Sequence, residues 1–203
     1  KEETTMAVFY NQATISLNGV VTGSNIVTGE IVEVLSVSKE AVSATYTPGS
    51  TAVFVVSIVN TGSTPYTGLT LTDDLGQYEL EVPDAEPLEL TPLEYIEGSI
   101  SLYIGGVKQA APTVASTEPL TVTGISVPAG SNAAIIYAAR VNSLAPLGEE
   151  ASITNTATVS GGGISSASDT ATITHDDTAD LAISKSLTPS SVPENGELTY
   201  TFI

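Results

Sequence analysis

The chain contains no cysteine and no tryptophan, and only one histidine among its 203 residues. Without cysteine, no disulfide can stabilise the fold, and a single histidine excludes a His-rich metal site. No apolar run is long enough to span a bilayer. Lys and Arg number 5 against 23 Asp and Glu, and the resulting net charge of −18 argues against binding to nucleic acid or to anionic membrane surfaces.

The residues that are abundant favour short strands joined by turns. Apolar residues make up 41% of the chain, so a sizeable core can form, and 17 Gly and 11 Pro supply many turns. Alternating or β-branched segments predict strands at about 6–17, 52–60, 119–127, 132–143 and 164–175, with a hairpin turn at Asn18-Gly19 and a long acidic surface loop at 76–92. This pattern predicts an all-β fold, an antiparallel Greek-key β-sandwich.

Two strands carry an asparagine in an otherwise apolar row. In Ile153-Thr-Asn-Thr-Ala-Thr-Val159 the side chains of Ile153, Asn155, Ala157 and Val159 share one face. Near the N-terminus Asn11 stands in the same position of a similar strand. A buried carboxamide costs free energy unless a partner satisfies it, so each asparagine is expected to have one.

The similarity of these two strands belongs to a longer internal repeat. Asn11 matches Asn155 at an offset of 155 − 11 = 144, and Lys39 matches Lys185 at an offset of 185 − 39 = 146. The chain is therefore predicted to comprise the terminal strands of a preceding repeat (1–35), a complete repeat (36–180) and the first strands of a following repeat (181–203). Repeats of this length form successive domains rather than a solenoid.

The complete repeat places three reactive residue types in inward rows. Lys39 follows Leu35 and Val37, and Asp73 follows Leu69 and Leu71. Burial lowers the pKa of a lysine and raises that of an aspartate, so a neutral Lys39 amine can attack the Asn155 carboxamide with assistance from Asp73. If the strand register shifts by one residue, Asp74 is the acid instead. The alternative is a buried Lys39–Asp73 ion pair with Asn155 hydrogen-bonded nearby.

The order of these motifs resembles a known family. Val37-Ser-Lys39, Ile58-Val-Asn-Thr-Gly62, Leu69-Thr-Leu-Thr-Asp73 and Ile153-Thr-Asn-Thr-Ala-Thr-Val159 together resemble the bacterial surface repeat called domain of unknown function eleven, over about 36–180. The resemblance implies an Ig-like sandwich in tandem arrays on bacterial, often Gram-positive, cell surfaces. The repeat is also similar to pilin and adhesin modules with Lys–Asn isopeptide bonds, which implies a crosslink between Lys39 and Asn155 with Asp73 assisting.

The terminal pieces would expose apolar rows if nothing covered them, among them Phe9, Ile15, Leu181, Ile183 and Leu198. They are expected to pack on the central repeat, to be parts of a longer array, or to complement each other between chains. Strand addition between chains would build a fibre, in which Lys185 and Asn11 can pair between subunits.

The acidic residues Asp176, Asp177 and Asp180 give a weak signal for calcium, because no loop of calcium-binding spacing contains them. A solvated acidic linker is the favoured interpretation, and no cofactor is expected. The leading hypothesis is an extracellular stalk or fibre module whose partners are copies of itself or adjacent repeats. The alternative is an adhesin domain that binds carbohydrate or host protein, and an enzyme ranks last because the crosslinking lysine reacts only once.

Overall fold

The structure, a computed structural model, describes residues 7–31, 34–83, 85–177, 185–189, 191–197 and 199–202. Throughout these ranges the chain forms strands, turns and loops, and no helix that could span a membrane is found among them. The strands are β1 (Ala7–Asn11), β2 (Thr14–Leu17), β3 (Val20–Gly23), β4 (Val27–Ile31), β5 (Leu35–Ala41), β6 (Thr45–Tyr46), β7 (Thr51–Asn60), β8 (Tyr66–Asp73), β9 (Tyr78–Leu80), β10 (Leu88–Leu90), β11 (Leu93–Tyr95), β12 (Ser101–Ile104), β13 (Val107–Lys108), β14 (Thr113–Thr117), β15 (Leu120–Val127), β16 (Ser131–Val141), β17 (Ser152–Gly161), β18 (Ala167–His175), β19 (Lys185–Thr188) and β20 (Thr199–Phe202).

Two six-stranded sheets form the central sandwich. The first has the order β13-β12-β16-β7-β5, with β11 also paired to β16, and the second has the order β14-β15-β8-β17-β18-β6. The inward rows of both sheets supply the core, as in β7, where every second residue from Ala52 to Asn60 is buried. The β-branched Val and Ile of such strands suit a pleated surface packed on one or both sides. The all-β sandwich predicted from the sequence is therefore confirmed.

The edges of the two sheets meet along β5 and β18. There the Lys39 backbone N–H donates to the Asp169 carboxylate Oδ2 at 2.7 Å, although the two residues belong to different sheets. This contact satisfies a donor on β5, whose pairing with β7 uses only one of its edges. The seam fixes β5, and with it Lys39, against the second sheet.

Several sequence predictions of detail are corrected. The sandwich is not entirely antiparallel, because β6 pairs with β18 in parallel. The acidic segment 76–92 is not a plain loop, since β9 and β10 form a short antiparallel pair within it. The strand predicted at 164–175 begins only at Ala167, and β11 and β14 were not predicted.

The two ends of the chain form hairpins of their own. In the first, β1 pairs with β4 and β2 with β3 around the predicted Asn18-Gly19 turn. Both turn residues have positive φ, 51° and 81°, as a two-residue hairpin turn of the primed type requires. In the second, β19 pairs with β20. The row expected to be inward in the first hairpin is exposed, with Phe9 at 51% and Ile15 at 72%. The same expectation for Leu181, Ile183 and Leu198 concerns residues outside those described.

Candidate crosslinking site

Lys39 reaches the centre of the sandwich from the edge strand β5. Its side chain is fully buried, and its Nζ lies 2.6 Å from Asp73 Oδ2. The alternation of β5 puts Lys39 in the same row as Leu35 and Val37, as predicted. The ammonium also lies 5.0 Å from the centroid of the Phe54 ring, within the range of a cation–π contact. A charge buried this deeply is stable only with such partners.

Asp73 ends the strand β8 and bonds through both carboxylate oxygens. Oδ1 accepts the backbone N–H of Leu75 at 3.1 Å, which fixes the turn that follows the strand. Oδ2 accepts from Lys39 Nζ and from the Tyr137 hydroxyl, each at 2.6 Å. Asp73 is fully buried and lies opposite Ala157 of β17, so its side chain faces the same interior as that of Asn155 two residues away.

Asn155 is buried in the inward row of β17, as predicted, and its amide is only half satisfied. Nδ2 donates to the Tyr137 hydroxyl oxygen at 3.0 Å. Oδ1 is buried and has no hydrogen-bond partner among the described residues. An unpaired buried acceptor costs about 1–3 kcal/mol, so an arrangement that satisfies or removes it would be favoured.

Tyr137 is the member of the site that the sequence reasoning missed. It stands in the inward row of β16 between the buried Ile135 and Ala139. Its hydroxyl contacts both Asp73 and Asn155, whereas no direct hydrogen bond joins those two residues. The signal in the sequence was a tyrosine in an otherwise aliphatic inward row, because a buried phenol requires a hydrogen-bond partner.

The site perturbs its titratable groups through burial. Desolvation lowers the pKa of Lys39 below the usual lysine value, although the carboxylates of Asp73, Asp74 and Asp169 oppose that shift. Desolvation also raises the pKa of Tyr137 well above the usual phenol value, and the neighbouring Asp73 acts in the same direction. Lys39 is thus closer to a neutral amine than an exposed lysine, while Tyr137 retains its proton.

Asp74, the alternative acid, has a different position. Its Oδ1 accepts the backbone N–H of Gly76 at 2.8 Å and that of Thr156 at 2.9 Å. These bonds fix the end of β8 to β17 beside Asn155. Asp73 is therefore the carboxylate in contact with Lys39, and Asp74 supports the strand that carries Asn155.

The second predicted pair, Lys185 and Asn11, lies in the terminal hairpins, and both residues are exposed. The hairpins nevertheless have two local features of the central sandwich. Lys185 Nζ lies 4.2 Å above the ring of Tyr200, the counterpart of Phe54. Asn11 pairs across the hairpin with Val27, just as Asn155 pairs with Ala171 at an offset of 171 − 27 = 144.

The acidic residues proposed for calcium are not gathered in the described part of the chain. Asp176 is half-buried and Asp177 exposed after the end of β18, while Asp180 lies outside the described residues. Within the described ranges no group of three or more His, Asp or Glu side chains is arranged to hold a metal ion. His175 faces the Gly148 carbonyl oxygen, with 3.1 Å between that atom and Nδ1.

No family model and no curated protein matches the chain. Solved structures with some likeness include the full-length major pilin RrgB from Streptococcus pneumoniae, with a TM-score of 0.48, 12% identity, and coverage of 68% of this chain and 25% of the pilin. BcpA, the major pilin subunit of Bacillus cereus, has a TM-score of 0.43 and 13% identity over 82% of this chain and 47% of the pilin. The collagen-binding domain from a Staphylococcus aureus adhesin has a TM-score of 0.39 and 11% identity over 70% of this chain and 98% of that domain. The chain spans less than half of either pilin, and these distant likenesses carry no argument about function.

Proposed function

We propose that the chain is a structural module of a bacterial surface stalk or fibre, stabilised by an intramolecular amide bond between Lys39 and Asn155. The observation that carries the proposal is the buried series of contacts Lys39 Nζ–Asp73 Oδ2–Tyr137 OH–Asn155 Nδ2, at 2.6, 2.6 and 3.0 Å. It connects an amine with a lowered pKa to a buried carboxamide through two groups that can transfer protons, the Asp73 carboxylate and the Tyr137 hydroxyl. This combination suits nucleophilic attack better than a purely structural ion pair.

The proposed reaction is a single transamidation. Asp73 accepts a proton from the Lys39 ammonium, and the neutral Nζ attacks Cγ of Asn155. An Nζ–Cγ bond forms, the Cγ–Nδ2 bond breaks, and ammonia leaves. The product is a neutral secondary amide, so the buried lysine charge is eliminated, which favours the product in a low-dielectric interior. No second turnover follows because both reactants are consumed.

The position of this bond suits a load-bearing module. Lys39 lies on the first strand of the sandwich, and Asn155 lies on β17, the next to last. A force that pulls on the two ends of the repeat would pass through the crosslink, and the 155 − 39 − 1 = 115 residues between Lys39 and Asn155 would not be extended. The bond also joins the two sheets, since β5 and β17 belong to different ones.

The direct test is the intact mass under denaturing conditions. Wild type is expected to be lighter than its sequence by one ammonia, and Lys39→Ala and Asn155→Ala are expected to have their full masses. Peptide mapping should recover a branched peptide that joins Lys39 to Asn155. A full wild-type mass in folded protein would rule the crosslink out and favour the buried ion pair.

A matched pair of variants tests the assignment of the acid. Asp73→Asn is expected to abolish the loss of ammonia, whereas Asp74→Asn should retain it, because Asp74 contacts backbone N–H groups rather than Lys39. The reverse result would assign the assisting acid to Asp74.

Assembly through the terminal hairpins is the second part of the proposal. β19 and β20 have the register of β5 and β7, with Lys185 opposite Phe202 as Lys39 is opposite Val56. In the first hairpin β1 and β4 have the register of β17 and β18, whereas β2 and β3 are shifted by one residue. In the central sandwich the corresponding units meet along β5 and β18. Hairpins from adjacent repeats or successive copies of the chain can therefore associate in the same way, in agreement with the resemblance to tandem surface repeats.

Light scattering of wild type and of a chain lacking 1–31 measures this association, and denaturing mass spectrometry shows whether Lys185 and Asn11 link covalently. Unchanged oligomeric state after the deletion would exclude assembly through this hairpin.

An adhesin function is the alternative, and one surface feature favours it. A cavity of about 690 Å³ adjoins the 76–92 segment and is lined in part by Tyr95, Thr117, Glu118, Arg140 and Asn142. Aromatic, hydroxyl, amide and charged groups together suit a carbohydrate or a peptide of a host protein. An array of glycans and matrix proteins, probed with wild type and with Arg140→Ala, tests the adhesin function. An absence of binding by wild type would exclude this alternative and leave the stalk function as the remaining proposal.

A further inference from the structure

Tyr137 stands between the two groups that react in the proposed function, on which this inference rests. Its hydroxyl donates to Asp73 Oδ2 at 2.6 Å and accepts from Asn155 Nδ2 at 3.0 Å. Nδ2 is the atom that must gain a proton when ammonia leaves. Asp73 does not reach it, since the bonds of its carboxylate go to Leu75 N, Lys39 Nζ and Tyr137 OH.

We propose that Tyr137 is a catalytic residue of the crosslinking reaction, which passes a proton from Asp73 to the departing Nδ2 of Asn155. The hydroxyl can do so because a phenol is at once a donor and an acceptor. In the resting site it donates to Asp73. Once Asp73 has taken a proton from Lys39 and the Nζ–Cγ bond has formed, Nδ2 is no longer a planar amide nitrogen, the direction of both hydrogen bonds reverses, and Tyr137 donates to Nδ2.

The relay balances every proton of the reaction. The Lys39 ammonium begins with three protons and keeps one in the new amide. The first of the other two passes to Asp73 Oδ2 before the attack. After the Nζ–Cγ bond has formed, Asp73 gives this proton to the Tyr137 oxygen, and Tyr137 gives its own to Nδ2, whose lone pair is no longer conjugated with the carbonyl. The Cγ–Nδ2 bond then breaks and ammonia departs, while the second proton of Nζ returns Asp73 to its acid form.

The surroundings of Tyr137 suit this role. Its ring stacks on Phe54 with 5.5 Å between centroids and packs against Tyr95 at 6.5 Å, so the hydroxyl is fixed in place. The residue is fully buried, which prevents bulk water from protonating the leaving group in its place. Burial also raises its pKa, so it holds a proton to give at any physiological pH.

The test separates catalysis from packing with a matched pair of variants. Tyr137→Phe removes the hydroxyl and retains the ring. Tyr95→Phe removes the hydroxyl of the neighbouring ring. No hydrogen bond from that hydroxyl to Lys39, Asp73 or Asn155 is found. Each full chain is synthesised in a short cell-free pulse, and the loss of ammonia is followed by denaturing mass spectrometry during the chase. Circular dichroism at the same times reports folding.

Loss of a general acid typically slows a reaction by about 10²–10⁴-fold, so Tyr137→Phe should fold and lose ammonia at least about a hundredfold more slowly than wild type. Tyr95→Phe should react at the wild-type rate. Equal rates in folded Tyr137→Phe and wild type would overturn the relay and leave the crosslink standing. Absence of ammonia loss in wild type would instead overturn the proposed function, and the relay with it.

A second measurement applies if Tyr137→Phe does not fold. Fluorinated tyrosine incorporated at position 137 keeps the shape of the ring and the hydrogen bonds but makes the phenol more acidic. A severalfold change in the rate of ammonia loss at unchanged melting temperature would support proton transfer through Tyr137. An unchanged rate would assign the hydroxyl a structural role and overturn the relay.

Discussion

The hairpin β17–β18 and the N-terminal hairpin have similar sequences and the same register around their asparagines, although β2–β3 is shifted by one residue, yet their environments are opposite. Asn155 pairs with Ala171 and is buried, whereas Asn11 pairs with Val27 and is exposed. Val159 is completely buried, whereas its counterpart Ile15, at 159 − 144, is 72% exposed. The local sequence therefore determines the strands and their pairing. Burial depends on neighbouring strands, which only the central hairpin has within the described residues.

The two lysines give the same contrast. Lys39 and Lys185 each lie above an aromatic ring of the neighbouring strand, at 5.0 and 4.2 Å. Only Lys39 is also enclosed by β8 and β16, which bring Asp73 and Tyr137 to it. The Ser-Lys segment thus places an amine near an aromatic ring in both cases, and β8 and β16 supply the buried partners of Lys39.

The largest difference is expected between Lys39→Met and Lys185→Met. Lys39→Met should abolish the loss of ammonia and with it the crosslink, whose stabilisation is about 4–5 kcal/mol if it acts as a disulfide closing a loop of this length. In the crosslinked wild type the lysine charge is already eliminated, so Lys39→Met adds no loss of an ion pair to the loss of the crosslink. Lys185→Met should change the unfolding free energy by less than about 0.5 kcal/mol. Denaturant unfolding measures both, and equal effects would show that burial does not distinguish the two lysines.

A comparison of Asn155→Ala with Asn11→Ala isolates the contribution of the covalent bond to the unfolding free energy. Asn155→Ala prevents the crosslink and leaves the Lys39–Asp73 ion pair in its place, so the unfolding free energy should fall by up to the crosslink contribution, about 4–5 kcal/mol. Asn11→Ala should leave both the loss of ammonia and the unfolding free energy unchanged. If Asn155→Ala is as stable as wild type, the carboxamide contributes no bond, and the two asparagines are equivalent.

The sequence was sufficient for the long strands of the sandwich and for Lys39, Asp73 and Asn155 as inward residues, because alternation assigns each side chain to a face. The short strands β9, β10, β11 and β14 were not predicted. The sequence was insufficient to identify Tyr137 as part of the site. Tyr137 reaches the site because β16 lies beside β7 in the first sheet, and the order of strands in a sheet cannot be predicted from the alternation of side chains. The parallel pairing of β6 with β18 was missed because a strand of two residues is too short to show alternation of apolar and polar side chains. The one-residue ambiguity between Asp73 and Asp74 required the register of β8 against β17.

The pH dependence of the crosslinking rate distinguishes a shared proton from simple deprotonation. Burial lowers the pKa of Lys39, against the opposing influence of Asp73, Asp74 and Asp169. The reactive Lys39–Asp73 pair must hold one proton that moves between them. As pH rises above the lowered Lys39 pKa, that proton is lost and the rate should fall about tenfold per pH unit, equivalent to about 1.4 kcal/mol. Pulse–chase mass spectrometry measures the profile. A rate that rises with pH and then levels off would contradict proton sharing and require only a free amine.

The smallest expected effect concerns the seam between the sheets, where Asp169 on β18 accepts the Lys39 backbone N–H at 2.7 Å. Its counterpart in the N-terminal hairpin, at 169 − 144, is Asn25, which is exposed. In the uncrosslinked Asn155→Ala background, Asp169→Ala should lower the unfolding free energy by about 1–2 kcal/mol, because a partly buried donor on β5 loses its acceptor. Asn25→Ala should have no measurable effect on denaturant unfolding. If Asp169→Ala were equally silent, β5 would be fixed by its pairing with β7 and by the Lys39–Asp73 contact alone. In that case the β5–β18 contact would not orient Lys39. The lack of this contact would then also not explain the difference between the central sandwich and a terminal hairpin.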